Sequence, residues 1–212
     1  AGQNYLPYSA ALLTSYFKYN SSAAHEYNFN PFIYKRDSVN NLLTTCEGSE
    51  IIALSLYAWN TRLSLAFAEA YKNAYPDSFI IVGGPSVPDE SESFLRKNIF
   101  IDIALHNEGE IAFAKLLEVH ASTKDYSNVP SSSFIKDNIF FKIDHAPRIK
   151  DLSNIISPFL SGSLDNLISF NTNEKWIGLW ETNRGCPFTC TYCDWGSATG
   201  SKQMGVFPED RL

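Results

Sequence analysis

The stretch IIALSLYAWNTRLSLAFAEAYKNAYPDSFIIVGGP, residues 51–85, decides the predicted fold. It begins with a short apolar run, residues 51–56, which is typical of a strand buried in a parallel sheet. A second apolar run, residues 79–82, stops at a Gly-Gly-Pro turn. Between the two runs, apolar residues recur at helical spacing: Leu63, Phe67, Ala70, Tyr71 and Ala74. The stretch therefore predicts a strand, a helix and a second strand.

The same alternation continues to about residue 120 and extends the prediction to a domain. A polar helix is predicted from Asp89 through Lys97, a third strand at Ile101–Leu105 and a third helix from Gly109. Strands that alternate with helices at this spacing indicate right-handed βαβ units and a parallel sheet covered on both faces. With a further strand expected at residues 26–34, we predict one open, doubly wound α/β domain over residues 1–122.

Two further regions follow this domain. Residues 123–173 are rich in Ser, Asn, Asp and Pro and are predicted to be a connector with one hairpin. The segment KWIGLWET, Lys175–Thr182, is predicted to be a new buried strand, with which a second domain begins at residue 174 and runs to residue 212.

Composition excludes several classes of partner. The 212 residues carry a formal charge of −6 with scattered basic residues, so no basic patch indicates nucleic acid or an anionic membrane surface. No run approaches the ~18–20 apolar residues of a spanning helix, and no signal peptide is recognisable. We expect a cytoplasmic protein that acts on small molecules.

Three cysteines lie within eight residues of the segment RGCPFTCTYCDWG: Cys186, Cys190 and Cys193. Three thiolates can hold a cubane iron–sulfur cluster and leave one iron open to a substrate or cofactor. A structural zinc site would need a fourth ligand, for which the sequence offers only the distant Cys46. The remaining alternative is that the cysteines are merely buried. The spacing favours an iron–sulfur cluster over zinc.

The predicted parallel sheet brings three loops to the edge formed by the carboxyl ends of its strands, where such folds bind ligands. The loops are residues 55–60, 83–88 and 106–110. A Gly-Gly-Pro sequence allows backbone to approach a bulky ligand, yet it also makes an ordinary tight turn, and the residues alone favour neither. The absence of G-x-G-x-x-G argues against a dinucleotide site.

The cysteine loop CPFTCTYC resembles that of the radical S-adenosylmethionine enzymes, Cys-x3-Cys-x-aromatic-Cys. The resemblance implies that Cys186, Cys190 and Cys193 bind a [4Fe–4S] cluster whose open iron chelates S-adenosylmethionine. Tyr192 is then expected to lie against the adenine.

The strand-Gly-Gly-Pro and EGE segments ahead of this loop resemble the Rossmann-like, flavodoxin-like cobalamin-binding domain of cobalamin-dependent radical enzymes. Two outer segments, PYSAALLTSY (residues 7–16) and DLSNIISPFLSG (residues 151–162), are also similar to that group. Many cobalamin domains place a histidine on cobalt from the first loop, but YAWNTR has none. The resemblance then leaves the lower face of cobalt either to another residue, for which Trp59 and Asn60 are the candidates, or to no residue at all. The implied cobalamin contacts are Ser55, Tyr57, Trp59, Asn60, Gly83, Gly84, Pro85, Glu108, Gly109 and Glu110.

The resemblance implies a C-methyltransferase. In such enzymes a 5′-deoxyadenosyl radical removes hydrogen from an unactivated carbon and methylcobalamin delivers the methyl group. The expected partners are a small-molecule or peptide substrate and a one-electron donor such as a flavodoxin or ferredoxin. A (β/α) barrel takes ~200 residues, and about 40 follow the connector. We therefore expect the chain to be the N-terminal part of a longer enzyme and to be inactive alone.

Two other classes remain open. A cobalamin-binding module without catalysis would explain residues 1–122 and leave the cysteines without a role. A zinc-stabilised α/β interaction protein would give them a structural role, with Cys46 as the fourth ligand.

Overall fold

The computed structural model describes residues 3–188, 190–192 and 204–211. It divides the chain into two units: Lys35–Ala146, which we call the sheet unit, and Ala1–Tyr34 with Pro147–Leu212, the terminal unit. In chain order, the strands are β1 (Gln3–Tyr5), β2 (Ile51–Ser55), β3 (Phe79–Gly83), β4 (Ile103–Leu105), β5 (Ser132–Lys136), β6 (Ile139–Lys142), β7 (Lys175–Ile177), β8 (Asn183–Arg184) and β9 (Gly205–Val206).

The α-helices are α1 (Tyr8–Asn20), α2 (Val39–Thr45), α3 (Thr61–Ala74), α4 (Glu92–Lys97), α5 (Gly109–Ala121) and α6 (Asp165–Phe170). Short 3₁₀ turns cover Ser22–Glu26, Tyr126–Asn128, Leu152–Asn154 and Glu209–Arg211.

The sheet unit contains a mixed sheet of five strands in the order β2-β3-β4-β5-β6. The first three strands are parallel, in a register that sets Ile52 beside Ile80 and Val82 beside Ala104. The parallel α/β fold expected from the alternating apolar runs is thereby confirmed. The strand order follows the chain order, and the sheet is extended beyond β4 by antiparallel β5 and β6.

Helices cover both faces of this sheet, as predicted. Ile52 and Ile80 point to one face, where Phe67 and Tyr71 of α3 pack against them. Further along the same face, Val82, Ala104 and Leu95 of α4 form a second cluster. On the opposite face the ring of Phe79 lies 4.5 Å from the imidazole of His120 in α5. The apolar side chains of β3 and β4 are therefore largely removed from water on both faces, whereas the edge strand β2 leaves Ala53 exposed.

The predicted hairpin forms, but it belongs to the sheet rather than to a separate connector. Ser133 of β5 pairs with Ala104 of β4, and the side chain of Ser133 is fully buried. Pairing with β5 satisfies the backbone groups on the outer edge of β4, which an isolated β4 would leave open. The sheet unit consequently runs to Ala146, past the predicted boundary at residue 122, and it begins at Lys35 rather than at residue 1.

In the terminal unit, β1 and β7 form a parallel pair and β8 and β9 an antiparallel one. The predicted strand at residues 26–34 was wrong: after the 3₁₀ turn these residues are irregular. Tyr27 and Phe29 pack their rings edge-on against Phe17 of α1, so aromatic packing holds this segment in place of sheet pairing.

The strand predicted over Lys175–Thr182 was too long. Strand β7 ends at Ile177, and Leu179 and Trp180 just beyond it have exposed side chains. Within the described part of the chain, β7 has a single neighbour, β1, which is itself only three residues long. A buried parallel strand needs partners along its length, and the pairing with β1 supports only the first part of the segment.

A tight backbone contact joins the turns that follow β2 and β3. Gly84 has φ of +96°, and a Cβ there would lie 2.8 Å from the carbonyl oxygen of Leu56. At the neighbouring Gly83, a Cβ would meet its closest atom, the carbonyl oxygen of Leu105, at an ordinary 3.6 Å. Gly84 is therefore required by the packing of one turn on the other, and Gly83 is not.

We expect Gly84→Ala to lower the free energy of unfolding by about 1–3 kcal/mol, because it combines a left-handed backbone with a steric clash. Gly83→Ala is the matched control and should change that free energy by less than about 1 kcal/mol. Urea denaturation followed by circular dichroism measures both. Equal losses for the two variants would contradict this account.

Candidate functional site

The carboxyl ends of β2, β3 and β4 lie at one edge of the sheet, as the sequence predicted for the three candidate loops. The first two loops are in direct contact. The backbone N–H of Leu56 donates to the carbonyl of Gly83 at 2.7 Å, and that of Ser86 donates to the carbonyl of Leu56 at 3.1 Å. The third loop starts at His106, directly after β4. The parallel register therefore brings the three segments to a common edge.

The first loop is closed by its own asparagine. The side-chain oxygen of Asn60 accepts from the backbone N–H of Tyr57 at 2.8 Å, and its amide nitrogen donates to the carbonyl of Ser55 at 2.9 Å. Both ends of this side chain thus serve the turn between β2 and α3. Of the two residues expected to face a ligand here, Asn60 therefore uses its side-chain amide for hydrogen bonds within its own loop.

Trp59 is the exposed member of that pair. Its ring stacks on Tyr57, with centroids 4.7 Å apart and planes 10° from parallel, and 68% of the residue is accessible to solvent. The guanidinium of Arg36 donates to its backbone carbonyl. The loop therefore presents a flat aromatic surface at the carboxyl edge of the sheet.

The third loop turns sharply into α5. Asn107 has φ of +59°, and its side-chain nitrogen lies 2.9 Å from Nδ1 of His145. Glu108 precedes the helix, Gly109 is its first residue, and Glu110 is buried in its first turn. A carboxylate in this position is favoured by the positive end of the helix dipole. Glu110, one of the predicted cobalamin contacts in this loop, is therefore buried in the protein interior.

His106 takes part in a buried hydrogen-bond chain that the sequence did not reveal. Its Nε2 is 2.8 Å from Oγ of Ser133, which in turn is 2.7 Å from Oγ of Ser91 at the start of α4. All three residues are buried. Because Ser91 and Ser133 are ordinary serines 15 residues before and 27 residues after His106, only the strand pairing brings the three together.

Burial lowers the pKa of His106. The carboxylate of Asp89 opposes this shift, whereas His145 and Lys142 add to it. The imidazole is consequently neutral near pH 7 and acts as a structural hydrogen-bonding group that connects the end of β4 to β5 and α4.

The cysteine loop follows β8 in the terminal unit. Cys186 is half-buried and Cys190 exposed, and both are free thiols. Tyr192, expected to meet an adenine, is 90% exposed. Cys193 lies outside the described residues. The structure therefore gives no arrangement for the three predicted ligands as a set, and no cluster of three or more metal-binding side chains forms among residues 3–188, 190–192 and 204–211.

Cys46 belongs to the hydrophobic core of the sheet unit. It packs with Leu42, Phe67 and Tyr71, and burial raises the pKa of its thiol. A protonated thiol in an apolar core is a poor metal ligand. Cys46 therefore has a structural role in the core, and the zinc alternative loses the fourth ligand that it required.

The histidines of the sheet unit predict how stability depends on pH. Burial lowers the pKa of His106 and of His120, so that on acidification the unfolded chain takes up protons before the folded chain does. The free energy of unfolding should therefore decrease as the pH falls below about 6.5, the ordinary histidine value.

His106→Gln and His120→Gln should each flatten this dependence, by at most about 1.4 kcal/mol per pH unit. Urea titrations between about pH 8 and pH 5 measure the slopes. A double variant that loses stability on acidification as steeply as the parent chain would refute the assignment.

A search against protein-family models finds no match for this chain. Curated relatives do match it along nearly its whole length. It is 35% identical over 211 residues to the cobalamin-dependent radical SAM methyltransferase TokK of Streptomyces tokunonensis. It is 34% identical, also over 211 residues, to the 2-(S-pantetheinyl)-carbapenam-3-carboxylate methyltransferase of Streptantibioticus cattleyicolor. Each match covers 98% of this chain and 31% of the relative, so the chain spans about a third of their length.

Solved structures agree on the fold. The chain superposes with a TM-score of 0.73 on the cobalamin-dependent S-adenosylmethionine radical enzyme OxsB, solved with aqua-cobalamin and S-adenosylmethionine bound. That match has 17% sequence identity and covers 99% of this chain and 28% of OxsB. No helix in the described part of the chain is long and apolar enough to cross a membrane. Along nearly its whole length the chain is therefore similar in sequence to about a third of two curated methyltransferases, one of them named as a cobalamin-dependent radical SAM enzyme, and it shares its fold with part of OxsB.

Proposed function

We propose that this chain is the N-terminal part of an enzyme that methylates an unactivated carbon of a small organic molecule. The observation that carries the proposal is the combination of a Cys-x3-Cys-x2-Cys loop with an α/β sheet, in a chain 35% identical to a radical SAM methyltransferase. A relative named for a carbapenam substrate supports a small molecule over a peptide. The proposed cofactors are cobalamin, S-adenosylmethionine and a [4Fe–4S] cluster.

Cys186, Cys190 and Cys193 are the residues that would hold the cluster. The two described members are free and at least partly accessible, which suits thiolate ligands. Gly185, with φ of +89°, turns the chain out of β8 directly before the first of them. When bound, the cluster supplies the electron that cleaves S-adenosylmethionine, and cobalamin carries the methyl group. Tyr192 is proposed to cover the adenine.

The sheet unit is proposed to bind cobalamin at the carboxyl edge of β2, β3 and β4. Because the side chain of Asn60 is engaged in closing its own loop, we assign the position facing cobalt to Trp59. The stack on Tyr57 holds this ring in a fixed orientation and at low entropic cost. Residues 55–60 and 83–85 would then contact the flat macrocycle through backbone and aromatic atoms rather than through an imidazole.

Two further proposals concern the cellular setting. A cluster that must receive one electron needs a donor, for which a flavodoxin or a ferredoxin is suitable. Free thiols at Cys186 and Cys190 fit a reducing compartment, so we place the enzyme in the cytoplasm.

Anaerobic reconstitution of the chain with iron and sulfide tests the cluster. We expect about four irons and four sulfides per chain, as a [4Fe–4S] centre requires, together with a broad visible absorption. The triple variant Cys186→Ala, Cys190→Ala, Cys193→Ala should lose all three signals. Cys46→Ala is the matched control and should retain them, because this thiol is in the core. Stoichiometric zinc without sulfide, in a folded chain, would refute the cluster.

Titration with hydroxocobalamin, followed by its visible spectrum, tests the second site. Trp59→Ala should weaken binding about tenfold, because it removes a stacking surface of the order of one aromatic contact. Ile139→Ala removes another exposed apolar residue, at the start of β6 beside the hairpin turn at the opposite edge of the sheet, and this variant should bind as the parent does. Equal affinity for the parent and for Trp59→Ala would exclude Trp59 from the site.

A further inference from the structure

A pocket of about 270 Å³ opens beyond the carboxyl end of β7 in the terminal unit. None of the described residues assigned to cobalamin or to the cluster lines it. The residues that line it include Tyr8, Phe159, Leu160, Leu179, Trp180 and Glu181. Gly178 directly follows β7, and Tyr8, the first residue of α1, follows β1 after Leu6 and Pro7. The pocket therefore lies at the carboxyl end of a parallel strand pair, where ligands commonly bind.

Three segments distant in sequence build this pocket. Tyr8 comes from the N-terminal segment 7–16, Phe159 from the segment 151–162, and Trp180 from the strand-like segment that precedes the cysteine loop. The rings of Tyr8 and Phe159 lie 6.0 Å apart. The two outer segments therefore both contribute side chains to one cavity, and this cavity is not one of the proposed cofactor sites.

The single charged group in the lining is already neutralised. Nε of Arg184 donates to one carboxylate oxygen of Glu181 at 2.8 Å, and a terminal guanidinium nitrogen donates to the other at 3.2 Å. The hydroxyl of Tyr8 also donates to Glu181, at 3.2 Å. A ligand therefore meets a carboxylate that is paired with a cation, and the pocket favours an uncharged occupant.

The walls combine apolar surface with open backbone groups. Trp180 is 67% exposed, and Leu160 and Leu179 are also exposed at the pocket. Within the described part of the chain, the backbone of Gly178, Leu179 and Trp180 makes no hydrogen bond. Free N–H and C=O groups beside aromatic side chains suit a ligand that carries an amide or a similar neutral polar group.

We infer that this pocket holds an uncharged, largely apolar arm of the methyl-acceptor substrate, one that includes an amide-like group. The inference rests on the proposed function for the identity of the occupant. Cys186 follows Glu181 by only five residues, so a substrate arm anchored here lies close along the chain to the proposed cluster. Binding this arm would position the unactivated carbon for reaction, because that carbon carries no polar group through which the enzyme could hold it directly.

The test uses the whole chain labelled with 5-fluorotryptophan. Each of the four tryptophans of the chain then gives its own ¹⁹F resonance. Trp180→Phe identifies the resonance of Trp180. The probe is N-benzylacetamide, and phenylacetate and benzylammonium are charged probes with the same ring. We expect N-benzylacetamide to shift the Trp180 resonance selectively, and each charged probe to bind about tenfold more weakly or less.

Two variants complete the test. A Cβ at position 178 would lie 3.7 Å from the ring of Phe159, so Gly178→Ala narrows the pocket without a clash and should weaken N-benzylacetamide about tenfold. Phe170→Ala is the control, because Phe170 is 81% exposed on α6 outside the pocket, and it should leave the affinity unchanged.

Three results would overturn the inference: shifts spread over all four tryptophans, equal binding of the three probes, or no response of Trp180. Failure of the proposed function is read separately, from the iron and sulfide content of the parent chain compared with that of the triple cysteine variant. A chain that assembles a cluster but does not bind N-benzylacetamide at Trp180 retains the proposed function and loses only the pocket. A chain that binds the probe without forming a cluster retains the pocket as a binding site, with a different occupant.

Discussion

The parallel pairing of β2, β3 and β4 is the constraint on which the sheet unit depends. Parallel strands in register must end at a common edge, and each must return to the opposite edge through a helix. In this chain the return segments are α3 and α4, which leave the loops after β2 and β3 free to pack on each other. The hydrogen bonds between Leu56 and the Gly83–Ser86 turn, and the absence of a side chain at Gly84, follow from that single requirement.

Polar groups inside the sheet unit serve the same arrangement. The chain from His106 through Ser133 to Ser91 crosses from β4 to β5 and on to α4, so it connects the elements on either side of the third loop. At the other end of the sheet, Lys72 of α3 contacts both carboxylate oxygens of Asp102, which also accepts from the backbone of Ile80. Such satisfied networks fix the relative positions of elements that apolar packing alone would allow to slide.

Local patterns predicted the parallel strands, the helices between them and the hairpin, because each depends on residues close in sequence. Contacts between residues that are distant in sequence could not be predicted in this way. The pairing of β5 with β4 moved the hairpin into the sheet, and the aromatic packing on Phe17 displaced the strand expected at residues 26–34. At the candidate site the loops were correctly located, but the engagement of Asn60 and the partners of His106 depend on backbone geometry that no spacing rule encodes.

The burial of Cys46 divides the thiols of this chain by reactivity. Alkylating reagents attack thiolates, and a thiol with a raised pKa inside an apolar cluster offers neither the anion nor a path for the reagent. Cys190 is exposed and Cys186 partly so, and each is free to react. Brief treatment with iodoacetamide would thus mark the cysteine loop while sparing the core. The folded chain can in this way carry an alkyl label on the proposed ligands themselves, in place of a cluster, without any cysteine being removed by mutation.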